Sequence, residues 1–261
     1  MKYINTNKLK SLNFDKDNLF IILDFDKTIT EFDSSDSWDV CGISLGTEVI
    51  EQLNDIYQKY RPIEIDYKMD KIEKEKYMIE WNNQCMNLYY EYDLTKEKLE
   101  TSINKSNIKF RKGVKEFLEK ANKYKIPLII LSAGIGNVIK ETLEINKCYF
   151  DNMYIISNFI EFDMNGNMSK FEGKMIHPLN KSIEGKLPED IKEKISQKQY
   201  GLLVGDLIED KKMVPEEQLE NVITVGFLMN DNNLEVYNQN FDIVLNNEDA
   251  TFENINDLVL R

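Results

Sequence analysis

A continuous apolar run, Leu19 to Leu23, ends directly in two carboxylates, Asp24 and Asp26. An apolar run without polar alternation is typical of a strand that is buried on both faces of a parallel sheet. Open α/β sheets bind their ligands just beyond the carboxyl ends of such strands. Because an unpaired buried carboxylate is costly, the two acids predict a bound cation, and Mg²⁺, which prefers oxygen ligands, suits them best.

A second apolar run, residues 128–131, ends in small residues that suit an anion. It follows Pro127 and leads into Ser132, Ala133 and Gly134, which predicts a strand, a turn and then a helix. The serine hydroxyl and the free backbone N–H groups of such a turn lie at a helix start, where the macrodipole favours negative charge. A phosphate oxygen is the expected ligand at this position.

A third apolar run, residues 201–204, ends in Gly205 and Asp206, with Asp210 four residues further on. Another carboxylate therefore leaves another predicted strand end. The strand ends carry, in chain order, an acid pair, a hydroxyl and an acid. Phosphoryl transfer uses groups of these types, because it depends on metal binding and on stabilisation of negative charge.

Composition limits the classes of protein that remain. The chain has 261 residues and is 42% hydrophobic, which suffices for a full core and a smaller second unit. Its net charge of -13 argues against binding of a nucleic-acid polymer, since clustered Lys and Arg supply that affinity. No run approaches the ~20 apolar residues of a membrane span. We expect a soluble cytoplasmic monomer without a membrane partner, and no disulfides among its widely spaced cysteines.

The chain is predicted to have an α/β core interrupted by a helical insertion. Apolar residues between 36 and 106 recur at helical spacing, with almost no strand signal. On either side, helical and strand patterns alternate, which predicts a Rossmann-like, mostly parallel sheet over residues 1–35 and 107–261. Residues 153–174 alternate like strands, and Asn165-Gly166 is a hairpin signal. The insertion is expected to form an all-helical cap domain over the mouth of the sheet.

These motifs together resemble the haloacid dehalogenase superfamily of aspartate-nucleophile phosphatases. Asp24-Phe25-Asp26-Lys27-Thr28 is similar to the first motif, Ser132 to the second, Lys181 to the third, and Gly205-Asp206 with Asp210 to the fourth. Within the superfamily the chain is most similar to the cytosolic pyrimidine 5′-nucleotidase family, over nearly its whole length. The segments that carry this similarity are 63–66, 77–81, 132–136, 155–159, 176–177, 180–181 and 225–228.

The resemblance implies catalytic roles for Asp24, Asp26 and Lys181. Asp24 would attack phosphorus to give an aspartyl-phosphate, and Asp26 would act as general acid and then as general base. Lys181 would bind the phosphoryl oxygens and orient Asp24. Alternatively, Asp24 could be an acid that caps a turn, Asp26 a carboxylate that only binds metal, and Lys181 a solvated surface lysine.

The resemblance also implies a Mg²⁺ site. Its ligands would be the Asp24 side chain, the Asp26 backbone carbonyl and Asp206. Asp210 would act through a water or through an ion pair with Lys181, and Thr28 would support the catalytic loop. Asp210 could instead be an acid that serves only a helical turn.

Substrate contacts follow from the same resemblance. Ser132, Ala133 and Gly134 would bind the phosphate, unless their turn serves only packing. Glu64 would accept a hydrogen bond from an exocyclic amine of the base, with a solvated acid as the alternative. Cys85 lies where the family is expected to show a serine facing the base, so base preference is the least transferable inference. Trp81 could shield the base or belong to the core of the insertion.

The sequence therefore predicts a Mg²⁺-dependent 5′-nucleotidase that hydrolyses pyrimidine nucleoside 5′-monophosphates through an aspartyl-phosphate. One alternative is a phosphatase of the same chemistry that acts on phosphoserine or a sugar phosphate. The other is a catalytically silent protein that keeps the fold to bind a ligand. The only histidine, His177, is assigned a structural hydrogen bond, because two aspartates already fill the catalytic roles.

Overall fold

The computed structural model describes residues 3–4, 8, 16–246 and 249–259. Seven strands form one sheet in the order β1-β9-β8-β7-β2-β3-β4, and a separate hairpin is formed by β5 and β6. The strands are β1 (Tyr3–Ile4), β2 (Leu19–Leu23), β3 (Leu128–Ile135), β4 (Met153–Asn158), β5 (Ile160–Phe162), β6 (Met168–Phe171), β7 (Tyr200–Gly205), β8 (Val222–Leu228) and β9 (Ile243–Asn246). All neighbours in the large sheet are parallel except β1, which pairs antiparallel with β9.

Nine α-helices are assigned within the described residues. They are α1 (Ser37–Gly42), α2 (Thr47–Glu64), α3 (Lys71–Glu91), α4 (Lys96–Lys105), α5 (Val114–Lys123), α6 (Gly136–Ile145), α7 (Glu189–Ser196), α8 (Leu234–Asn240) and α9 (Phe252–Val259). In the part of the chain that the structure describes, no helix is both long and apolar enough to cross a bilayer.

The sheet is covered by helices on both faces, so the predicted α/β fold is confirmed. Alternate side chains of β2 enter two different apolar clusters, and each residue of the strand is at most 4% exposed. One cluster packs the sheet against α5, α6 and α9, and the other packs it against α7 and α8. Because these strands are buried on both faces, their sequences are continuous apolar runs.

Residues 36–106 contain α1 to α4, in agreement with the helical pattern of the insertion. Their apolar side chains form a third cluster that also includes residues of β5, β6 and the start of α6. The backbone of Lys96 donates to Gly166 (2.8 Å), and that of Met168 donates to Leu94 (3.1 Å). The β5–β6 hairpin thus packs against the insertion, while β4, which the alternation grouped with the hairpin, is a strand of the large sheet.

Candidate active site

The three predicted strand ends meet at one edge of the sheet. The central strand β2 lies between β7 and β3. Pairing of β2 with β7 continues one residue further, because the Asp24 N–H donates to the Val204 carbonyl at 3.0 Å. Asp24, Ser132 and Asp206 therefore line a single cavity. This is the position at which open α/β sheets bind ligands.

A buried ion-pair network joins Asp24, Lys181 and Asp210. The Lys181 ammonium donates to one carboxylate oxygen of each acid at 2.7 Å, and the three residues are at most 5% exposed. The other Asp210 oxygen accepts from the Leu207 N–H at 3.0 Å. Both oxygens of Asp210 are thus engaged, and Lys181 acts as a fixed positive charge beside Asp24.

Lys181 reaches the sheet through a short, well-anchored segment. The Asn158 side chain, at the end of β4, accepts from the Ile176 N–H (2.7 Å) and donates to the Ile176 carbonyl (2.9 Å). The His177 N–H donates to the Asn180 side chain at 2.9 Å, which closes the turn just before Lys181. Asn158, which the sequence did not single out, therefore positions the lysine.

Asp24, Asp206 and Asp210 form a buried cluster of three carboxylates. One oxygen from each lies within 4.8 Å of the others. Burial raises the pKa of Asp24 to about 6 against the opposing effect of Lys181, and it raises the pKa of Asp206 well above the usual value. Both Asp210 oxygens and one Asp24 oxygen already accept hydrogen bonds, so the second Asp24 oxygen and the Asp206 oxygens are best placed to hold a cation. Two buried carboxylates with raised pKa values fit a hard divalent ion.

The Asp26 side chain lies in a different environment from that cluster. It accepts from the Ser37 N–H at 3.0 Å and from the Ser37 hydroxyl at 2.5 Å. Burial, with a smaller effect of Asp36, raises the pKa of Asp26 to about 8. A pKa in this range favours the protonated form of Asp26 near neutral pH. Ser37 also accepts from the Ile135 N–H at 3.0 Å and ties this acid to β3.

The loop after β2 is held by a buried arginine. Arg111 donates to the carbonyls of Thr28 (2.9 Å) and Ala250 (3.1 Å) and also to that of Lys27, whose φ is 62°. The Thr28 hydroxyl lies 3.5 Å from an Asp24 oxygen, at the outer limit of a hydrogen bond. The support that was predicted for Thr28 thus comes largely from Arg111.

The phosphate turn differs from the prediction. Strand β3 continues to Ile135 with an irregular register after Leu131, and α6 begins directly at Gly136. The backbone N–H of Gly134, expected to be free, donates to the Ser132 hydroxyl at 3.0 Å. The cause is the local geometry, since a serine hydroxyl readily bonds a backbone group two residues further on. A phosphate oxygen would have to replace this contact.

The insertion supplies the rest of the cavity wall. Glu64 and Cys85 both line it and are 8% and 3% exposed. Burial raises the pKa of the Cys85 thiol to about 12, so the thiol is neutral. Trp81 also lines the cavity and is stacked on Tyr60 with ring centroids 5.8 Å apart. The lining residues to which the sequence assigned no role include Lys27, Asp36, Trp38, Asp39, Tyr57 and Arg61.

The carboxylate cluster gives a testable pH dependence. Because burial raises the pKa of Asp24 to about 6 and that of Asp206 as well, folding favours their protonated forms. The metal-free protein should lose stability as the pH rises from about 4 to about 6 through the titration of Asp24, and Asp206 should add a loss in the same direction. Mg²⁺ competes with these protons, so at about 100 times its Kd it should raise Tm by about 5 °C at the higher pH and by less at the lower. Thermal unfolding of wild type and Asp206→Asn checks this, and an equal Mg²⁺ effect in both proteins would contradict it.

A parallel α/β sheet with this set of acids, hydroxyl and lysine at its carboxyl edge defines the phosphatases of the haloacid dehalogenase superfamily. A phosphoserine phosphatase has the same fold, with a TM-score of 0.62 at 17% identity, over 93% of this chain and 98% of that chain. A sequence profile described as pyrimidine 5′-nucleotidase (UMPH-1) matches residues 33–261. The chain therefore belongs to the pyrimidine 5′-nucleotidase family, as its motifs suggested, and is by class a phosphoric monoester hydrolase.

Individual relatives agree with this assignment. The 7-methylguanosine phosphate-specific 5′-nucleotidase A of Xenopus laevis is 31% identical, over 94% of this chain and 87% of that protein. Its human counterpart is also 31% identical, over 93% and 84% of the two chains. The crystal structure of cytosolic 5′-nucleotidase IIIB bound to cytidine has a TM-score of 0.79 at 26% identity, over 98% of this chain and 88% of that chain.

Proposed function

We propose that this chain is a Mg²⁺-dependent 5′-nucleotidase that hydrolyses nucleoside 5′-monophosphates through an aspartyl-phosphate on Asp24. The observation that carries the proposal is the Asp24 carboxylate, which lies 2.7 Å from the Lys181 ammonium in a cavity shared with Asp206 and Ser132. A nucleophile, a cation for the phosphoryl oxygens and a metal-binding acid are thus in one place. Residues of the insertion line the same cavity and could therefore contact the rest of the substrate.

Asp24 and Asp206 would hold Mg²⁺ with their side chains, and Asp26 would do so with its backbone carbonyl. When bound, the ion would neutralise charge between the nucleophile and the phosphate. Asp210 would contribute through Lys181, to which it is hydrogen-bonded at 2.7 Å. The available ligand atoms support Mg²⁺ binding. The carboxylate oxygens that Lys181 does not contact belong to Asp24 and Asp206, which are buried acids with raised pKa values.

Two in-line transfers complete the reaction in this proposal. An Asp24 oxygen attacks phosphorus while Asp26 donates its proton to the departing 5′-oxygen. The Asp26 carboxylate then takes a proton from a water that attacks the aspartyl-phosphate, which frees Asp24 and releases phosphate. Lys181, Ser132 and the backbone near Gly134 would bind the phosphoryl oxygens in both steps.

The cavity favours a base that donates hydrogen bonds. Glu64 and Asp39 line it, and carboxylates accept from amines. We therefore propose pyrimidine nucleotides as substrates, with CMP ahead of UMP, because cytosine carries an exocyclic amine. A second candidate is 7-methylguanosine 5′-monophosphate, since two relatives are named for it and its cationic base would suit an acidic, aromatic-lined cavity.

A substrate panel tests this proposal. Phosphate release should give a kcat/KM for CMP at least about tenfold above that for phosphoserine or a sugar phosphate. Equal rates would support the alternative phosphatase of the same chemistry. No turnover of any phosphomonoester, including an aryl phosphate with Mg²⁺, would support the silent binding protein.

Replacing Glu64 with glutamine should change base preference. CMP would exchange a charged acceptor for the weaker, neutral amide oxygen, and its kcat/KM should fall about tenfold. UMP should be little affected, because the new amide can donate to its 4-oxygen. Glu80→Gln, the same change at an exposed acid of the insertion that pairs with Lys59, is the matched control and should leave both substrates unchanged. A parallel fall of CMP and UMP in Glu64→Gln would remove Glu64 from base recognition.

We also propose that residues 1–35 and 107–261 form the catalytic core and that residues 36–106 form a cap that sets specificity. The third apolar cluster, which belongs largely to the insertion, supports this division.

We further propose that the protein is a cytoplasmic monomer, and a Caenorhabditis elegans relative named putative cytosolic 5′-nucleotidase 3 supports the location. Sedimentation of the purified protein tests the monomer.

A further inference from the structure

Arg61 connects the helical insertion to the metal-binding edge of the sheet. It lies in the last turn of α2, three residues before Glu64, and its side chain is 15% exposed. One terminal nitrogen, Nη1, forms an ion pair with the Glu64 carboxylate, and the other, Nη2, lies 3.8 Å from an Asp206 oxygen. All three side chains line the active-site cavity.

The Arg61 guanidinium has unused hydrogen-bond donors. A guanidinium carries five N–H donors, and among the described residues only Nη1 of Arg61 has a hydrogen-bond partner, Glu64. The 3.8 Å separation from Asp206 is too long for a hydrogen bond. Nε is buried and has no partner among the described residues. Because buried donors are nearly always paired, Arg61 calls for an acceptor that the described residues do not provide.

The other cations of the cavity are already committed. Lys27 lies 2.7 Å from Asp36 and donates to the Ser34 carbonyl at 2.9 Å. Lys181 is shared between Asp24 and Asp210. Six acids, Asp24, Asp26, Asp36, Asp39, Glu64 and Asp206, line the cavity against three cations. Lys27 and Lys181 each keep only one of three ammonium donors, so a phosphoryl dianion entering this acidic site finds in Arg61 the cation with the most unused donors.

The cavity must widen before a nucleotide can enter it. The cavity encloses about 110 Å³, whereas pockets for ligands of nucleotide size measure about 300 Å³ or more. The Arg61–Glu64 pair occupies part of the space between the insertion and Asp206. A nucleotide can enter only if the insertion moves or this pair separates.

We propose that Arg61 is a phosphate-binding residue contributed by the insertion, and that its contact with the phosphoryl oxygens replaces its ion pair with Glu64. This exchange frees the Glu64 carboxylate for the base, so occupation of the phosphate site prepares the base site. The inference rests on the proposed phosphatase function and adds a phosphate-binding residue from the insertion to Lys181, which belongs to the core.

Calorimetric titration with orthophosphate in the presence of Mg²⁺ tests the proposal without requiring turnover. Arg61→Gln should weaken orthophosphate binding about tenfold, because a charge-assisted contact is lost. The matched control is Lys59→Gln, which removes one charge from the exposed face of the same helix, where Lys59 pairs with Glu80. The control should bind orthophosphate as wild type does. Equal affinities of Arg61→Gln and Lys59→Gln would overturn the proposal.

Titration with cytidine separates phosphate binding from a purely structural role. Cytidine carries no phosphate, and its affinity for Arg61→Gln should be unchanged or higher, because Glu64 is already released. Equal weakening of cytidine and orthophosphate would mean that Arg61 only maintains the fold of the site, and this would overturn the proposal. If Arg61→Gln does not fold, Arg61→Lys replaces it. Because lysine lacks the planar guanidinium, we expect this variant to bind orthophosphate about threefold more weakly and cytidine as tightly as wild type does. Wild-type affinity for orthophosphate in Arg61→Lys would then overturn the proposal.

The two proposals fail in different ways. If orthophosphate binding depends on Arg61 but the protein does not hydrolyse CMP, the proposed nucleotidase activity is refuted and the phosphate-binding role of Arg61 stands. If the protein hydrolyses CMP but binds orthophosphate equally well without Arg61, the role of Arg61 is refuted and the proposed nucleotidase activity stands.

Discussion

Asp24→Asn should lower phosphate release by at least about 10,000-fold, because an amide cannot form the acyl phosphate. The substitution keeps the shape of the residue and one oxygen for Lys181, so the fold and the cavity should persist. Phosphate release from CMP and from an aryl phosphate at saturating Mg²⁺ measures the effect. Wild-type thermal stability within a few degrees, as expected for an isosteric change, would show that the loss is chemical.

A rate for Asp24→Asn within about tenfold of wild type would exclude a covalent role for this side chain. In that case Asp24 would serve only as a metal ligand, and a water would attack phosphorus directly. Asp206→Asn is the matched control at the other predicted metal-binding acid. Its activity should recover at higher Mg²⁺ concentration, whereas that of Asp24→Asn should not.

Asp26→Asn should slow steady-state hydrolysis of CMP about 100- to 10,000-fold, because the general acid and base is lost. The pKa of Asp26, raised to about 8 by burial, keeps the wild-type side chain protonated for the first step at neutral pH. An aryl phosphate has a good leaving group and needs no acid in that step. The variant should therefore release about one equivalent of the phenolate in a rapid burst and then turn over slowly, since the aspartyl-phosphate lacks its base.

Stopped-flow absorbance of the phenolate measures that burst. A variant that loses the burst together with the steady-state rate would show that Asp26 matters for the first transfer regardless of the leaving group. Ser37→Ala provides a related control, because it removes the hydroxyl that donates to Asp26 at 2.5 Å without removing the carboxyl group. Its burst should be of normal amplitude, and its steady-state rate should fall less than that of Asp26→Asn.

The core of the site could be predicted because its signals are local in sequence. A strand buried on both faces must be apolar, so an acid directly after it, such as Asp24 or Asp206, is conspicuous. Parallel strands bring their carboxyl ends to one edge, which explains why these acids and Ser132 share a cavity. Lys181 was identified through its resemblance to the third motif, since composition alone cannot single out one lysine.

The contacts that position the site could not be predicted, because they join residues distant in sequence. Arg111 reaches the catalytic loop across 83 positions, and Ser37 bonds the Ile135 N–H across 98. Nothing in the local pattern distinguishes either residue from an ordinary surface residue. Arg61 could have been noticed as a cation one helical turn from Glu64, a spacing that places both on one face. Its approach to Asp206 depends on how the insertion packs against the core.

The direct test of the account is to trap the phosphorylated enzyme. Wild-type protein would be mixed with excess CMP and Mg²⁺, quenched in acid during turnover and treated with borohydride, which reduces an aspartyl-phosphate to homoserine. Peptide mass spectrometry should then find homoserine at position 24 and at no other acid. Unmodified Asp24 in samples that release phosphate at the full rate, or homoserine at another position, would contradict the account.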